Sequence, residues 1–200
     1  ALISNNLSVA GAGIPELAYK ISLSADGNTC MVSGEDNSSY HTYSHPTRIW
    51  QYNTDTNQWG KYVDGVFTEG EFHSIFETSS GNKAKLSMDG KAALTYSMVW
   101  EFNGTEWTGT QLDLSSMTIA SRNYKAVGGI SADNKTIVMT DAPGHNIASN
   151  TLRVFKKSSA GAWNLVSTTY PATAWSGRCC DVSADGLTAC VGAHNMVSSY

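Results

Sequence analysis

An all-β fold of short antiparallel strands is what this sequence predicts, and three observations carry the prediction. Charged residues make up only 15% of the 200-residue chain while glycine reaches 18 residues, a balance that suits strands and tight turns better than long helices. A Ser-x-Asp-Gly motif, first met in LSADGNTCMVSG at residues 23–34, returns in close form three more times. Each copy lies between two short apolar runs, the pattern of a hairpin.

Aligned on the aspartate, the four stretches read YKISLSADGNTCMVSG, NKAKLSMDGKAALTYS, KAVGGISADNKTIVMTDA and RCCDVSADGLTACVGAH, anchored at Asp26, Asp89, Asp133 and Asp185. In each, a run ending in Leu, Ile or Val precedes the Ser and a second apolar run follows, as in two antiparallel strands joined by a turn. The first three hairpins are followed by a further shared element: TRIWQYNTDTNQWGKYV, SMVWEFNGTEWTGTQL and TLRVFKKSSAGAWNLVST. It supplies an alternating strand, a polar turn, and a Trp (Trp59, Trp107, Trp163) that opens another strand. Four strands per unit follow, with units near 19–66, 83–112, 126–168 and 178–200. The fourth unit stops after its second strand at Val191-Gly192-Ala193. Residues 1–18 are the available source of a closing strand, the alternative being that the chain is one part of a larger array. Recurring four-stranded units of about 40 to 50 residues are what a β-propeller requires. A single β-propeller domain over 1–200 is therefore the expected architecture, and a β-sandwich ranks second.

The L-S-A-D-G hairpin, the V-G-A second strand, the TRIWQY or LRVFKK third strand and the Trp-led fourth strand together resemble propeller repeats of the FG-GAP or integrin-α-like type. They are also similar to the Ser-Pro-Asp-Gly hairpins of WD40-like propellers. The resemblance spans about residues 19 to 194 and implies the fold. Repeats of that family often carry a calcium loop of the form D-x-D-x-D-G, and none of the four copies here has it, since each offers one carboxylate. Calcium wants six to eight oxygens, several of them carboxylates. The aspartates are expected to shape corners instead, because Asp-Gly adopts positive φ cheaply and Asp or Ser side chains bond their own turn backbone. Asn134 in place of Gly in the third copy fits this reading, Asn being the residue that best tolerates the left-handed region.

Binding residues are sought where the copies differ, since loops on a rigid scaffold are where contacts concentrate. The least repetitive insertion, EDNSSYHTYSHPTR at 35–48, offers Tyr40, His41, Tyr43 and His45 for stacking on a sugar or a partner side chain. Its histidines do not have the helical setting that a metal pair would use. DAPGHNIASN at 141–150, with His145, occupies the corresponding place in the third unit, and Trp175 lies outside the recurring positions. Trp50, Trp59, Trp100, Trp107 and Trp163 recur with the units and are expected to pack between them. No metal and no cofactor is expected.

Treating Ser183–Gly186 as a four-residue turn sets Val182 opposite Leu187 and Cys179 opposite Cys190. A disulfide from Cys190 to Cys179 or Cys180 is expected on that basis. The cysteines do not form the paired spacing of a zinc site. Sequons at Asn6, Asn37, Asn103 and Asn134, with an N-terminal Ala1 that fits a processed end, point toward an oxidising, extracellular, cell-surface or virion setting. A net charge of -4 and a pI near 5.7 give no basic stripe for nucleic acid, and no run approaches the apolar length of a membrane helix.

Catalytic signatures are missing: there is no G-x-S-x-G, no H-E-x-x-H, and GAGIPE at 11–16 lacks the third glycine of a dinucleotide loop. Asp64, Glu69 and Glu71 are the acidic residues from which a glycosidase pair would have to come. The sequence therefore reads as a non-catalytic binding or assembly module with a protein or glycan partner. A carbohydrate-binding lectin and a propeller hydrolase of lactonase or glycosidase type are the alternatives.

Overall fold

A computed structural model describes residues 18–34, 47–75, 84–95, 97–114, 127–140, 152–169 and 176–193. Every regular element among them is a β-strand. The first sheet holds β1 (Ala18–Leu23), β2 (Thr29–Gly34), β3 (Thr47–Asn53), β4 (Gln58–Val63), β5 (Val66–Glu69) and β6 (His73–Ile75). A second comprises β7 (Lys85–Leu86), β8 (Ala92–Leu94), β9 (Met98–Phe102) and β10 (Trp107–Gln111). The third contains β11 (Val127–Ile130), β12 (Thr136–Thr140), β13 (Leu152–Lys157) and β14 (Trp163–Thr169), and the fourth β15 (Ser176–Val182) and β16 (Ala189–Ala193). Within each sheet, strands consecutive in the chain pair antiparallel, except that β6 pairs with β3 and not with β5. The all-β expectation and the four-stranded antiparallel sheets are thus present.

The first sheet departs from the simple four-strand pattern. Its third strand, β3, pairs along one half with β4 (Gln51 with Gly60, Asn53 with Gln58) and along the other with β6 (Thr47 with Ile75, Ile49 with His73). The fourth strand is therefore split. Between its halves the chain runs out as the β4–β5 hairpin, whose tip Asp64-Gly65 has φ of 51° and 77°, the two consecutive positive φ angles of a tight hairpin turn. Gly70 N–H donates to Trp59 O at 2.9 Å, closing the base, and the tip's Asp64 accepts from the Thr105 hydroxyl of the second sheet.

Alternation along the strands gives the first three sheets buried apolar residues on both faces. Met31, Ile49 and Ile75 of the first sheet form one core with Ala84, Leu86, Ala93 and Trp107 of the second. Leu94, Val99 and Leu112 of the second form another with Ile130, Ile137, Met139 and Phe155 of the third. A third cluster, Cys30, Val32 and Trp50 with Trp59 and Phe72, lies on the other face of the first sheet. Trp50 and Trp107 are buried, and Trp59, Trp100 and Trp163 are half-buried; Trp100, Trp107 and Trp163 pack at the cores between sheets as expected, whereas Trp50 and Trp59 pack within the first sheet's own cluster.

Two glycines set how closely β11 approaches its neighbours. A Cβ on Gly128 would strike the Leu94 side chain of the second sheet, and one on Gly129 would lie 2.7 Å from Asp181 Oδ1 and 3.0 Å from Asp181 Cα of the fourth. The run Val-Gly-Gly-Ile is therefore a strand thinned on both faces.

The fourth hairpin corrects the expected register. Val182 pairs with Ala189, Asp181 with Cys190, and Cys179 with Gly192. Ser183 N–H donates to Thr188 O at 2.8 Å, so four residues lie inside this closing pair and every partner moves by two from the expected alignment. The predicted disulfide is absent. Cys190 is an exposed free thiol, while Cys180 lies one residue away from Cys190's partner, on the opposite face of the pleat, with its Sγ donating to Val138 O at 3.7 Å.

Candidate functional site

The recurring corner is built the same way four times. The serine hydroxyl donates to the aspartate two residues on: Ser24 to Asp26 at 2.5 Å, Ser87 to Asp89 at 2.6 Å, Ser131 to Asp133 at 2.6 Å and Ser183 to Asp185 at 2.5 Å. The same oxygen accepts the backbone N–H five residues on, from Thr29, Ala92, Thr136 and Thr188, each at 2.9 Å. Each aspartate Oδ1 also accepts the N–H two residues further, from Asn28, Lys91, Lys135 and Leu187. The residue after the aspartate has positive φ: 72° at Gly27, 70° at Gly90, 55° at Asn134 and 68° at Gly186.

Such a corner consumes the groups that a cation would need. Donation by the serine hydroxyl first, then by the backbone N–H, holds the carboxyls of Asp26 and Asp185 below the usual aspartate range, so they stay ionised as acceptors within the turn. Among the described residues there is no group of three or more His, Cys, Asp or Glu arranged to hold a metal ion.

The corners also stack on one another. Ala25 N–H donates to Met88 O at 2.7 Å, and Ala132 N–H to Ala184 O at 3.0 Å. The third corner reaches the second through Asn134 Nδ2, which donates to Asp89 Oδ2 at 2.7 Å. Glycine at this position permits contact as well as φ. A Cβ on Gly90 would lie 2.6 Å from Thr29 Oγ1, and one on Gly186 would lie 2.8 Å from Thr136 Cβ. Lys85 of β7 pairs with Asp181 of β15, joining the second and fourth sheets, and Lys157 of β13 pairs with Glu101 of β9 at 2.6 Å.

Aligned corners define one end of the stacked sheets. The residues flanking segments 35–46, 141–151 and 170–175 are Gly34 and Thr47, Thr140 and Leu152, and Thr169 and Ser176, all at strand ends remote from the corners. All three segments therefore depart from the opposite end. Tyr40, His41, Tyr43, His45, His145 and Trp175 belong to them and lie outside the described residues, as do Asn6 and Asn37.

Two sequons are described. Asn103 is exposed, and its Oδ1 accepts the N–H groups of Thr105 and Glu106, each at 2.9 Å. Asn134 is half-buried, and its Nδ2, the atom a glycan would take, is the one donated to Asp89. Of the acidic residues considered for catalysis, Asp64 sits at the hairpin tip, Glu69 at its base, and Glu71 pairs with Lys61 at 3.4 Å.

A polar cluster that no sequence motif marks sits where this hairpin leaves the sheet. Gln51 Oε1 accepts from Tyr62 N–H at 2.9 Å and lies 3.2 Å from His73 Nε2, and His73 packs edge-on against Phe102 with ring centroids 5.1 Å apart. Burial, and secondarily the Lys61 charge, hold the His73 imidazole below its ordinary range. Its residues lie far apart in the sequence, and only the split of the fourth strand assembles them.

No family model matches the chain, and a search of curated proteins finds no significant match. Among the described residues no helix is long and apolar enough to cross a membrane.

Proposed function

We propose that the chain is a non-catalytic β-propeller module of an extracellular, cell-surface or virion setting, which binds or assembles with a protein or glycan partner. The observation that carries this reading is the division of the stacked sheets into two ends. At one end the polar groups of the corners are spent on one another. From the other depart the segments that hold Tyr40, His41, Tyr43, His45, His145 and Trp175, the residues suited to stacking and hydrogen bonding. Support for the propeller arrangement comes from the succession of packed antiparallel sheets and from the Lys85–Asp181 pair, which links the first strands of the second and fourth sheets past the third. A pair of that kind suits inner strands gathered about an axis.

The test is to probe glycan and protein arrays with the intact chain and with a variant carrying Tyr40→Ala, His41→Ala, Tyr43→Ala and His45→Ala. The expected result is a ligand bound by the intact chain and lost in the variant, with thermal unfolding of the variant measured alongside to show that the fold is retained. Hits confined to glycans would select the lectin form of the reading. Turnover of a lactone or glycoside panel by the intact chain would overturn the non-catalytic assignment in favour of a hydrolase.

A further inference from the structure

The line of corner contacts is not uniform, and one member of it carries an anomaly. Counting from the aspartates, the second, third and fourth corners present Gly90, Asn134 and Gly186 one place on, while the first three sheets offer Thr29, Ala92 and Thr136 three places on. Gly90 seats on Thr29, where a Cβ would lie 2.6 Å from Thr29 Oγ1 and 3.0 Å from Ser24 Cβ. Gly186 seats on Thr136, where a Cβ would lie 2.8 Å from Thr136 Cβ. The corner between them instead brings Asn134 to the second sheet, whose residue at the seating place is Ala92.

The Asn134 amide is satisfied on one side only. Its Nδ2 donates to Asp89 Oδ2 at 2.7 Å, whereas its Oδ1 is buried without a hydrogen-bond partner. Turning the amide over would set its oxygen against the Asp89 carboxylate, so the arrangement is fixed. A buried acceptor left unpaired costs stability. Glycine, as in the other corners, would adopt the same positive φ, 55° at Asn134, without that cost. The turn alone therefore does not explain an asparagine here.

The neighbouring seats supply a reason. Gly90 and Gly186 show that a threonine below leaves no room for a side chain above, so an asparagine brought onto Thr29 or Thr136 would clash, while Ala92 is small enough to receive it. The fourth hairpin is directed as well. Lys156, opposite Thr136 in the sheet, donates to Thr136 Oγ1 at 2.7 Å and to Gly186 O at 3.2 Å. Opposite Ala92 stands Glu101, whose carboxylate is paired with Lys157 and has no proton to offer such a carbonyl.

We propose that Asn134, matched to Ala92, fixes the order of the sheets by directing the third hairpin onto the second sheet and barring it from the threonine seats. Hairpins that share one corner design can otherwise exchange places, the misassembly to which repeated units are prone. A lone buried asparagine sets register at some cost in stability in coiled coils, and rejection of a wrong pairing by a clash is a general route to specificity. The inference concerns how the sheets come together and does not depend on what the segments at the opposite end bind.

Urea unfolding and refolding of the full chain carrying Ala92→Thr, Asn134→Gly or both tests it. Ala92→Thr alone is expected to lower the midpoint, because the added atoms meet Asn134. Adding Asn134→Gly, which makes a third threonine–glycine seat, should recover most of that loss, although the same change in the parent gives no comparable gain. If Ala92→Thr alone does not fold, a folded double variant is the same result. On refolding, size-exclusion chromatography should show several-fold more hairpin-exchanged multimer from the double variant than from the parent, since all three seats are then alike. An equal midpoint shift from Asn134→Gly in both backgrounds would overturn the proposal, because the two residues would then be unmatched. So would a double variant that fails to fold, or one that refolds as cleanly as the parent.

Discussion

At the scale of single residues, the serine of each corner does more than the aspartate that first draws attention. Ser87 is fully buried, and its hydroxyl both donates to Asp89 and accepts from Ala92 N–H. Ser87→Ala removes the acceptor of a buried N–H and is expected to destabilise the fold by about 1–3 kcal/mol. Ser183→Ala makes the same chemical change at a solvent-exposed bond, where water replaces the lost partner, and should cost under about 1 kcal/mol. Urea midpoints of the two variants measure the difference, and equal losses would contradict the role of burial. His73 governs a pH response. Its folded pKa is depressed by burial and then by Lys61, so as pH falls below about 6.5 the unfolded chain binds a proton before the folded one does. Stability should decline from there down through the lower folded value, and then become insensitive to this group. His73→Gln, which cannot titrate, should flatten that part of the curve when urea midpoints are compared between about pH 7.5 and 5.5. Asp26 and Asp185 act lower. Their depressed values supply stability that is present above the ordinary aspartate pKa and is lost as pH falls through the folded one.

At the scale of elements, spacing between sheets is decided by what a strand lacks. β11 contributes no side chain at Gly128 and Gly129, and both neighbouring sheets use the space. Gly129→Ala would press a methyl group against Asp181 Cα at 3.0 Å, a backbone contact that cannot swing aside. The expected cost is about 1–3 kcal/mol from overpacking, measured by thermal or urea unfolding. A loss no greater than that of an exposed Gly→Ala change would show that the fourth sheet is loosely held. The β4–β5 hairpin shows the complementary device. Gly60 lies where a Cβ would meet the Phe67 ring at 2.6 Å, so a glycine in the fourth strand allows the chain to fold back on itself and leave the sheet. That excursion brings Lys61, Gln51 and His73 to one place.

At the scale of the whole molecule, the sheets are joined by packing between successive sheets and by a line of corner contacts. Substituting Tyr40, His41, Tyr43 and His45 is expected to remove ligand binding as read on the arrays, a property separate from the stability that the corner and strand substitutions report.

The strands around all four corners, the positive φ after each aspartate and the packing of Trp100, Trp107 and Trp163 between sheets were legible in the sequence. They depend on local chemistry: alternation fixes the strand faces, Asp-Gly or Asp-Asn fixes the turn, and the spacing of the motif fixes where each sheet begins. The split fourth strand was not legible, since Gln-Trp-Gly-Lys-Tyr-Val reads as one continuous strand and only pairing of β3 with His73–Ile75 reveals the break. Nor was the register around Cys190, where two residues more or fewer in a turn leave the same residues on the same face and change only who stands opposite whom. The sequence by itself determined that this protein is all-β and where its corners lie, because those are properties of a few adjacent residues. Which faces are covered, which thiol stays exposed and which segments share an end are relations between residues distant in the chain, and these only the tertiary structure decided.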